Sequence, residues 1–153
     1  MVDIVDPSTR SRMMAGIKGR NTKPELLIRH LLHRKGFRYR IHVKDLPGKP
    51  DIVLPKYRSV IFVHGCFWHG HQGCHLFRLP ATRTEFWQEK ILRNQTNDHR
   101  AVELLLASNW RVCIVWECSI RGARKDPEKV VNTIIDWLSG TELCLEIRED
   151  SRS

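Results

Sequence analysis

A short segment rich in cysteine and histidine constrains this chain more than any other feature of its sequence. Residues 64–75 contain four of the eight histidines and two of the five cysteines. Zinc prefers four nitrogen or sulfur ligands in a tetrahedron, and the spacing of Cys66, His71 and Cys74 lets one loop fold around one ion. The segment therefore predicts a metal-ordered loop. Buried thiols and loop histidines without a metal are the alternative interpretation.

The fourth ligand of such a site must come from outside this loop. Cys118 follows a strand predicted at residues 110–116, and pairing with a neighbouring strand would bring it close to the loop. Cys113 lies inside that strand and is expected in the core, and Cys144 is expected to have no role at the site. A closed site of three cysteines and one histidine leaves no position for substrate, so we expect the zinc to be structural.

Positive charge is concentrated in the first third of the chain. The formal net charge of the 153 residues is +9, and residues 1–50 hold twelve Lys or Arg against four Asp or Glu. Residues 51–153 are nearly neutral, with fourteen basic against thirteen acidic side chains. A basic lobe on a neutral body favours a polyanionic partner such as DNA over a merely solvated basic surface.

Length and composition are those of an ordinary globular domain. The chain is 41% hydrophobic and 28% charged, which argues against disorder. We expect a single domain over residues 1–153, with a basic arm and a short helix at 1–22, a core at 23–140 and a tail at 141–153. The sequence contains no run of about 18 apolar residues and no signal-peptide pattern at its start. We therefore expect a cytoplasmic protein whose thiols are reduced or metal-bound.

Hydrophobic periodicity and capping signals predict alternating helices and strands. Thr22 and Glu25 form a capping box at the start of a helix that ends at Gly36. Other helices are predicted at 8–17, at 84–108, where the polar residues 94–97 can interrupt it, and from Asp126 onward. Strands are predicted at 37–43, 51–54, 59–63 and 110–116. The alternation predicts an α/β fold in which helices flank a central mixed sheet.

Asp51 is placed where a nuclease would bind a cation. It begins the strand 51–54, twelve residues before Val63 on the next strand. Mg²⁺ takes hard oxygen ligands and keeps several waters, so one or two carboxylates at a strand start suffice to hold it against a phosphate. Pro-Asp alone is weak evidence because it is common in turns, and the capping box explains Glu25 without catalysis. His64 and His69 flank Cys66, so the metal would position both.

Two large aromatic residues, Phe67 and Trp68, occupy the tip of the metal loop, and Trp87 lies on the following segment. Core packing explains such a pair about as well as function does. The metal anchor and the surrounding histidines favour a wedge that unstacks DNA bases. Such unstacking costs roughly a few kcal/mol per step and least where pairing is already weak.

Four runs in the chain resemble those of the very short patch repair (T:G mismatch) endonucleases. They are LPGKPD at 46–51, FVHGCFWH at 62–69, PATRTEFW at 80–87 and VWEC at 115–118. The resemblance implies a restriction-endonuclease-like fold with a structural zinc site. It also implies an enzyme that nicks one strand 5′ of the mismatched T in T:G mismatches arising from deamination of 5-methylcytosine, which initiates very short patch repair.

The resemblance further implies roles for individual residues. Asp51 and the backbone carbonyl of Val63 would bind catalytic Mg²⁺, and Glu25 would hold metal-bound water. His69 would be the general base, since a neutral imidazole suits that task near neutral pH, and His64 would orient or stabilise the phosphate. The zinc ligands would be Cys66, His71, Cys74 and Cys118. The residues that intercalate in DNA would be Phe67, Trp68 and Trp87, with Met14 entering from the opposite groove.

The chain departs from the family pattern in four places, one of which is that Gly70 and Gln72 interrupt the family's histidine-rich run. The family usually has threonine at the position of Val63. Valine keeps the backbone carbonyl but lacks the hydroxyl of threonine. The zinc loop is one residue longer, with Gly73 as the addition, and the segment after Gly140 has no recognisable counterpart.

Partners follow from the same resemblance. We expect double-stranded DNA with a T:G mismatch, mismatch-repair proteins and a repair polymerase, and a monomeric enzyme associated with the nucleoid of a bacterial-type cytoplasm. Two alternatives are another nuclease of the same fold and a non-catalytic zinc DNA-binding module. The aromatic wedge argues against the first, and Asp51 with the two histidines argues against the second.

Overall fold

The computed structural model describes residues 22–121 and 125–149. These residues form a mixed α/β fold with three α-helices and a four-stranded sheet. The helices are α1 (Lys23–Arg34), α2 (Thr84–Ala107) and α3 (Pro127–Ser139). The strands are β1 (Ile52–Leu54), β2 (Ser59–His64), β3 (Arg111–Trp116) and β4 (Cys144–Ile147). The helix predicted at 8–17, and Met14 with it, lie outside the described residues.

The sheet is mixed, as the sequence predicts. Its strand order is β1-β2-β3-β4, with β1 antiparallel to β2 and the other neighbours parallel. The register pairs Ser59 with Arg111 and His64 with Trp116, so β2 and β3 end side by side at one edge. The loop that follows β2 and the short 3₁₀ helix Glu117–Ser119 that follows β3 therefore start next to each other.

Alternate side chains of the sheet face different helices, because successive residues of a strand point to opposite faces. Ile61, Cys113 and Val115 belong to a buried cluster with residues of α1 and α3. Val60, Phe62 and Val112 lie on the other face and pack with Leu105 of α2. Helices thus cover both faces of the sheet, and Cys113 is a core residue as predicted.

Two helices begin at the capping residues that the sequence indicates. The Thr22 hydroxyl accepts a hydrogen bond from the backbone N–H of Glu25 at 3.4 Å. The Asp126 carboxylate accepts one from the N–H of Lys129 at 3.2 Å. Each cap satisfies a donor that the first turn of a helix leaves unpaired.

Three expectations about secondary structure were wrong. Residues 37–43 do not form a strand: Arg40 and Val53 make an isolated bridge, and the positive φ of 58° at His42 ends the extended path. Helix α2 runs unbroken through residues 94–97. The segment predicted to be a tail contributes β4, which extends the sheet beside β3.

No helix in the described part of the chain is long and apolar enough to cross a membrane.

Candidate active site and metal centre

Two carboxyl groups meet at the start of β1. The carboxylate of Asp51 accepts a hydrogen bond from the backbone N–H of Val63 at 2.6 Å and is hydrogen bonded to the side chain of Glu25. Glu25 is buried, and Arg29 lies 3.8 Å from its carboxylate. Burial, followed by the hydrogen bond to Glu25, raises the pKa of Asp51 to about 8. Two buried carboxyls that repel each other when ionised are a site where a cation is favoured.

The donor set at this position fits a hard divalent cation. A cavity of about 20 Å³ lies beside Glu25 and Asp51, and its other lining residues come from the segments 42–44 and 49–50. A space of this size accommodates about one water-sized group. Carboxylate oxygens of Asp51 and Glu25 and the adjacent backbone of Val63 are the type of ligand that Mg²⁺ takes.

His64 ends β2, directly after Val63, and its side chain is buried. Burial lowers the pKa of its imidazole to about 3, and the neighbouring His69 contributes to the shift, so His64 is neutral at pH 7. Its ring stacks on that of His69, with centroids 3.8 Å apart and planes within 4°. Its Nδ1 atom has no hydrogen-bond partner among the described residues. A buried nitrogen without a partner is costly unless a ligand or water completes it.

His69 is held from helix α2. Its Nδ1 atom lies 2.5 Å from the Oδ2 atom of Asp98, and both side chains are about a quarter exposed, at 25% and 28%. This hydrogen bond fixes the tautomer and leaves Nε2 for another partner. His64, His69 and Asp98 have donor atoms that lie within 4.8 Å of one another. The arrangement can accept a proton from a polar group placed against the ring.

The four predicted zinc ligands converge. Cys66, His71, Cys74 and Cys118 each offer a donor atom, and these atoms all lie within 4.8 Å of one another. The Sγ atom of Cys118 is 3.6 Å from Nδ1 of His71. Neighbouring donors of a tetrahedral Cys/His zinc site are separated by roughly 3.5 Å, so the spacing fits that ion.

The protonation behaviour of these residues also fits a bound cation. Burial raises the pKa of the Cys66 and Cys118 thiols and lowers that of His71, so each group resists carrying charge here. Two backbone N–H groups already point at sulfur: that of Leu76 to Cys74 at 3.4 Å and that of Glu149 to Cys118 at 3.3 Å. A metal ion supplies the positive charge that lets these buried thiols ionise.

The loop that contains Trp68 and Gly70 is hydrogen bonded to side chains of helix α2. The Asn94 side chain donates to the backbone carbonyl of Trp68 at 2.8 Å, and Gln95 donates to that of Gly70 at 2.9 Å. Gly70 has a φ of 58°, and a Cβ atom there would lie 2.5 Å from the Gln95 side chain. The polar residues expected to interrupt α2 therefore hold the loop, and glycine is required where the loop meets the helix.

The three aromatic residues predicted to enter DNA form one cluster. Ring centroids of Phe67, Trp68 and Trp87 are 5.1 to 5.6 Å apart. All three are partly exposed, and none belongs to the buried hydrophobic clusters of the described residues. Phe86, which contacts Trp87, is 44% exposed. The three rings therefore pack on each other at the surface, outside the hydrophobic core of the described residues.

Comparison with known proteins bears on what this site does. The family model described as DNA mismatch endonuclease Vsr matches residues 2–75. The DNA mismatch endonuclease Vsr of Escherichia coli K12 is 46% identical over 148 residues, which are 96% of this chain and 94% of the relative. The chain belongs to the Vsr family of DNA mismatch endonucleases. It is an endonuclease, and its substrate is DNA.

Other relatives of this Vsr-family chain are described as nicking enzymes. The type II nicking enzyme V.XorIIP of Xanthomonas oryzae pv. oryzae is 48% identical over 120 residues, which are 78% of this chain and 88% of the relative. The type II nicking enzyme V.NmeAIP of Neisseria meningitidis is 46% identical over 121 residues, covering 79% and 86%.

Sequence reasoning missed Asp98 in this Vsr-family site. A weak signal for it exists. Buried residues of α2 recur at Ile91, Ala101 and Leu105, and Asp98 occupies a helical position on the same stripe. Polar residues on an otherwise apolar helix face indicate either a surface or a site, and the sequence alone does not distinguish the two.

Proposed function

We propose that this endonuclease nicks one strand of DNA 5′ of the mismatched T in a T:G mismatch, in a Mg²⁺-dependent reaction. Such mismatches arise when 5-methylcytosine is deaminated, and the nick initiates very short patch repair. The observation that carries the proposal is that the Asp51–Glu25 pair and the His64–His69–Asp98 cluster lie at the same end of the sheet, because Asp51 accepts a hydrogen bond from the N–H of Val63, the residue directly before His64. The fold is proposed to be of the restriction-endonuclease type.

Asp51 and the backbone carbonyl of Val63 would hold the catalytic cation, and Glu25 would hold a water bound to it. The hydrogen bond between Asp51 and the N–H of Val63 orients the carboxylate at the end of the cavity. When bound, Mg²⁺ supplies Lewis-acid polarisation of the scissile phosphate and stabilises charge on the leaving oxygen. The elevated pKa of Asp51 means that the carboxyl must lose a proton to serve as a ligand.

His69 would take the proton from the attacking water. Asp98 occupies Nδ1, so Nε2 is the nitrogen that accepts. As the water oxygen bonds to phosphorus, its proton passes to Nε2, and the bond between phosphorus and the leaving oxygen breaks. Asp98 would stabilise the imidazolium that results, as a carboxylate beside a protonated histidine does.

His64 would orient the phosphate. It is neutral at pH 7, so one of its ring nitrogens carries a hydrogen that can donate to a phosphate oxygen. Its stacking on His69 keeps donor and base in a fixed relationship. The orphaned Nδ1 atom is consistent with a partner that arrives with the substrate.

The Cys66–His71–Cys74–Cys118 centre would bind zinc and serve structure. Four protein ligands close the coordination shell, which leaves no open position for chemistry. Three of the residues proposed for chemistry or recognition, Phe67, Trp68 and His69, lie between its first two ligands. The zinc would thereby fix the loop that carries the base and the aromatic cluster.

Mismatch recognition would fall to Phe67, Trp68 and Trp87, which would replace lost base stacking with aromatic stacking. A T:G step costs less to open than a matched pair, so this wedge favours the mismatch. Met14 is proposed to enter from the opposite groove. Mismatch-repair proteins and a repair polymerase are the proposed partners of a monomeric, nucleoid-associated enzyme.

A strand-resolved nicking assay tests the proposal. Each strand of a T:G duplex is end-labelled in turn and incubated with the zinc-loaded protein, with or without added Mg²⁺. The proposal predicts one break, 5′ of the T and in that strand alone, which needs Mg²⁺. Cleavage of both strands would indicate another type of nuclease. Binding without any break would indicate a non-catalytic DNA-binding module.

A further inference from the structure

We infer that strand β4 positions the catalytic histidines through a hydrogen bond between Glu146 and Trp116. Neither residue is assigned a role in the chemistry above, and the inference rests on the proposed function of His64 and His69. Trp116 and Glu146 would be positioning residues, since neither touches the reacting atoms.

Three side chains form a row across the carboxyl ends of three strands. His64 of β2 is the register partner of Trp116 of β3. Glu146 of β4 is the partner of Ile114, which lies two residues before Trp116 and therefore on the same face of the sheet. Glu146 and Trp116 are thus diagonal neighbours, a spacing that long side chains bridge.

The indole of Trp116 lies between the metal centre and the catalytic histidines. It stacks on His71, with ring centroids 3.9 Å apart and planes within 2°. Its edge meets His64 at 5.2 Å and His69 at 6.4 Å. The residue is only 9% exposed. A tilt of this ring would therefore displace the proposed metal ligand His71 on one side and the stacked imidazoles of His64 and His69 on the other.

Glu146 sets the plane of that indole. The Nε1–H of Trp116 donates to Oε1 of Glu146 at 2.6 Å. Hydrogen bonds to an ionised acceptor are shorter and stronger than neutral ones, and a largely buried indole N–H needs a partner. Removing the carboxylate would remove the contact that fixes the tilt of this packed ring, while the strand pairing stays in place.

Other contacts of the same segment hold the metal loop without Glu146. Arg148 donates to the backbone carbonyl of Gln72 at 3.2 Å, and the backbone N–H of Glu149 donates to Cys118. The Glu149 carboxylate lies 3.0 Å from Nδ1 of His75. Because these contacts are independent of Glu146, its replacement should change the geometry of the histidines more than metal retention.

The test compares five variants with the wild type on a T:G duplex in Mg²⁺. Glu146→Ala and Trp116→Phe each remove the hydrogen bond, and the double variant removes both partners. Glu146→Gln keeps a side-chain oxygen that can accept. Glu142→Ala is the matched control, because it removes a carboxylate from the same segment and its recorded hydrogen bond is made by the backbone carbonyl. Zinc content, melting temperature, kcat and KM are measured for each.

Glu146→Ala is expected to lower kcat by about tenfold with KM nearly unchanged, since small misplacements of catalytic groups reduce rate steeply. Trp116→Phe should match it, and the double variant should be no slower than either single variant, as expected for two ends of one interaction. Glu146→Gln should recover most of the rate, and Glu142→Ala should equal the wild type. Zinc should stay at one per chain throughout.

Two results would overturn the inference. One is a wild-type kcat in Glu146→Ala; the other is a loss of kcat that only follows loss of zinc or of melting temperature, which would make the contact structural. The indole N–H resonance of Trp116, identified by its absence in Trp116→Phe, should move upfield in Glu146→Ala and reports the contact without any activity. Failure of the wild type itself to nick T:G would instead refute the proposed function.

Discussion

The Nδ1 atom of His69 lies 2.5 Å from the Oδ2 atom of Asp98, although 29 residues separate them in the chain. One belongs to the loop between the predicted metal ligands and the other to helix α2. Asn94 and Gln95, one turn earlier on that helix, bind the backbone of the same loop. Helix α2 therefore sets the position of the proposed base.

Replacing Asp98 should impair catalysis without unfolding the protein. Asp98→Asn is expected to lower the single-turnover nicking rate by roughly 10²-fold or more, within the usual worth of a general base, because the amide neither fixes the same tautomer nor stabilises the imidazolium. Asn97→Ala, at the exposed neighbouring position of the same helix, is the control and should keep the wild-type rate. Equal rates for Asp98→Asn and the wild type would show that His69 is not the base or needs no carboxylate.

Loss of a zinc ligand should unfold the loop. Cys66→Ser or Cys118→Ser is expected to lower bound zinc well below one per chain and to lower the melting temperature, because binding energy in such sites is folding energy. Cys144→Ser is the control, since Cys144 is exposed on β4. Zinc is measured by atomic absorption and melting by circular dichroism. Metal-free protein that melts like the zinc-loaded protein would contradict the assignment.

Binding of Mg²⁺ should strengthen as pH rises. Burial and the hydrogen bond to Glu25 raise the pKa of Asp51 from 3.8 to about 8, so a cation must displace a proton below that pH. Calorimetric titration should show increasing affinity from pH 6 to pH 8. Asp51→Asn should abolish that dependence, and Asp45→Asn, at an exposed carboxylate in the preceding turn, should preserve it.

The raised pKa of Asp51 should also make the stability of the fold depend on pH. The folded pKa of Asp51 exceeds its unfolded value, so the native state binds more protons than the unfolded state between these values. In zinc-loaded protein without added Mg²⁺, the free energy of unfolding should therefore fall as pH rises from about 4 to about 8, and Asp51→Asn should reduce that fall. Affinity for Mg²⁺ that is independent of pH would show that Asp51 is already ionised.

The aromatic cluster should discriminate between duplexes. Trp68→Ala is expected to weaken binding to a T:G duplex more than binding to a matched one, by roughly 1–3 kcal/mol per base stacked. Leu92→Ala removes an exposed apolar side chain from α2 and should change neither affinity. Added salt should weaken both complexes to the same extent, because contacts to phosphates do not depend on base pairing. Equal losses of affinity for the two duplexes would show that Trp68 has a packing role and does not recognise the mismatch.

Much of the metal centre could be predicted because its ligands are close in sequence or follow strand ends. Cys66, His71 and Cys74 lie within nine residues, and Cys118 comes directly after β3, whose parallel pairing with β2 brings it to the loop. The core position of Cys113 follows from the apolar strand around it. Local spacing and strand topology carry this information.

The rest depends on tertiary contacts that leave little trace in sequence. In the sequence, Asp98 is one more polar residue of a long helix. Its contact with His69 exists only because the loop packs against that helix. Residues 37–43 alternate like a strand, but the left-handed backbone at His42 limits their pairing to one bridge. Strand β4 is short and half exposed, so its hydrophobic pattern is weak, and its role depends on β3 lying beside it.

The most direct test of the account is the ratio of nicking rates on T:G and matched duplexes that are otherwise identical. In Mg²⁺, the wild type should nick the T:G duplex in the T strand and leave the matched duplex nearly intact. Asp51→Ala should still bind the T:G duplex but should cut neither. Equal cleavage of matched and T:G duplexes by the wild type, or full activity of Asp51→Ala in Mg²⁺, would contradict the account.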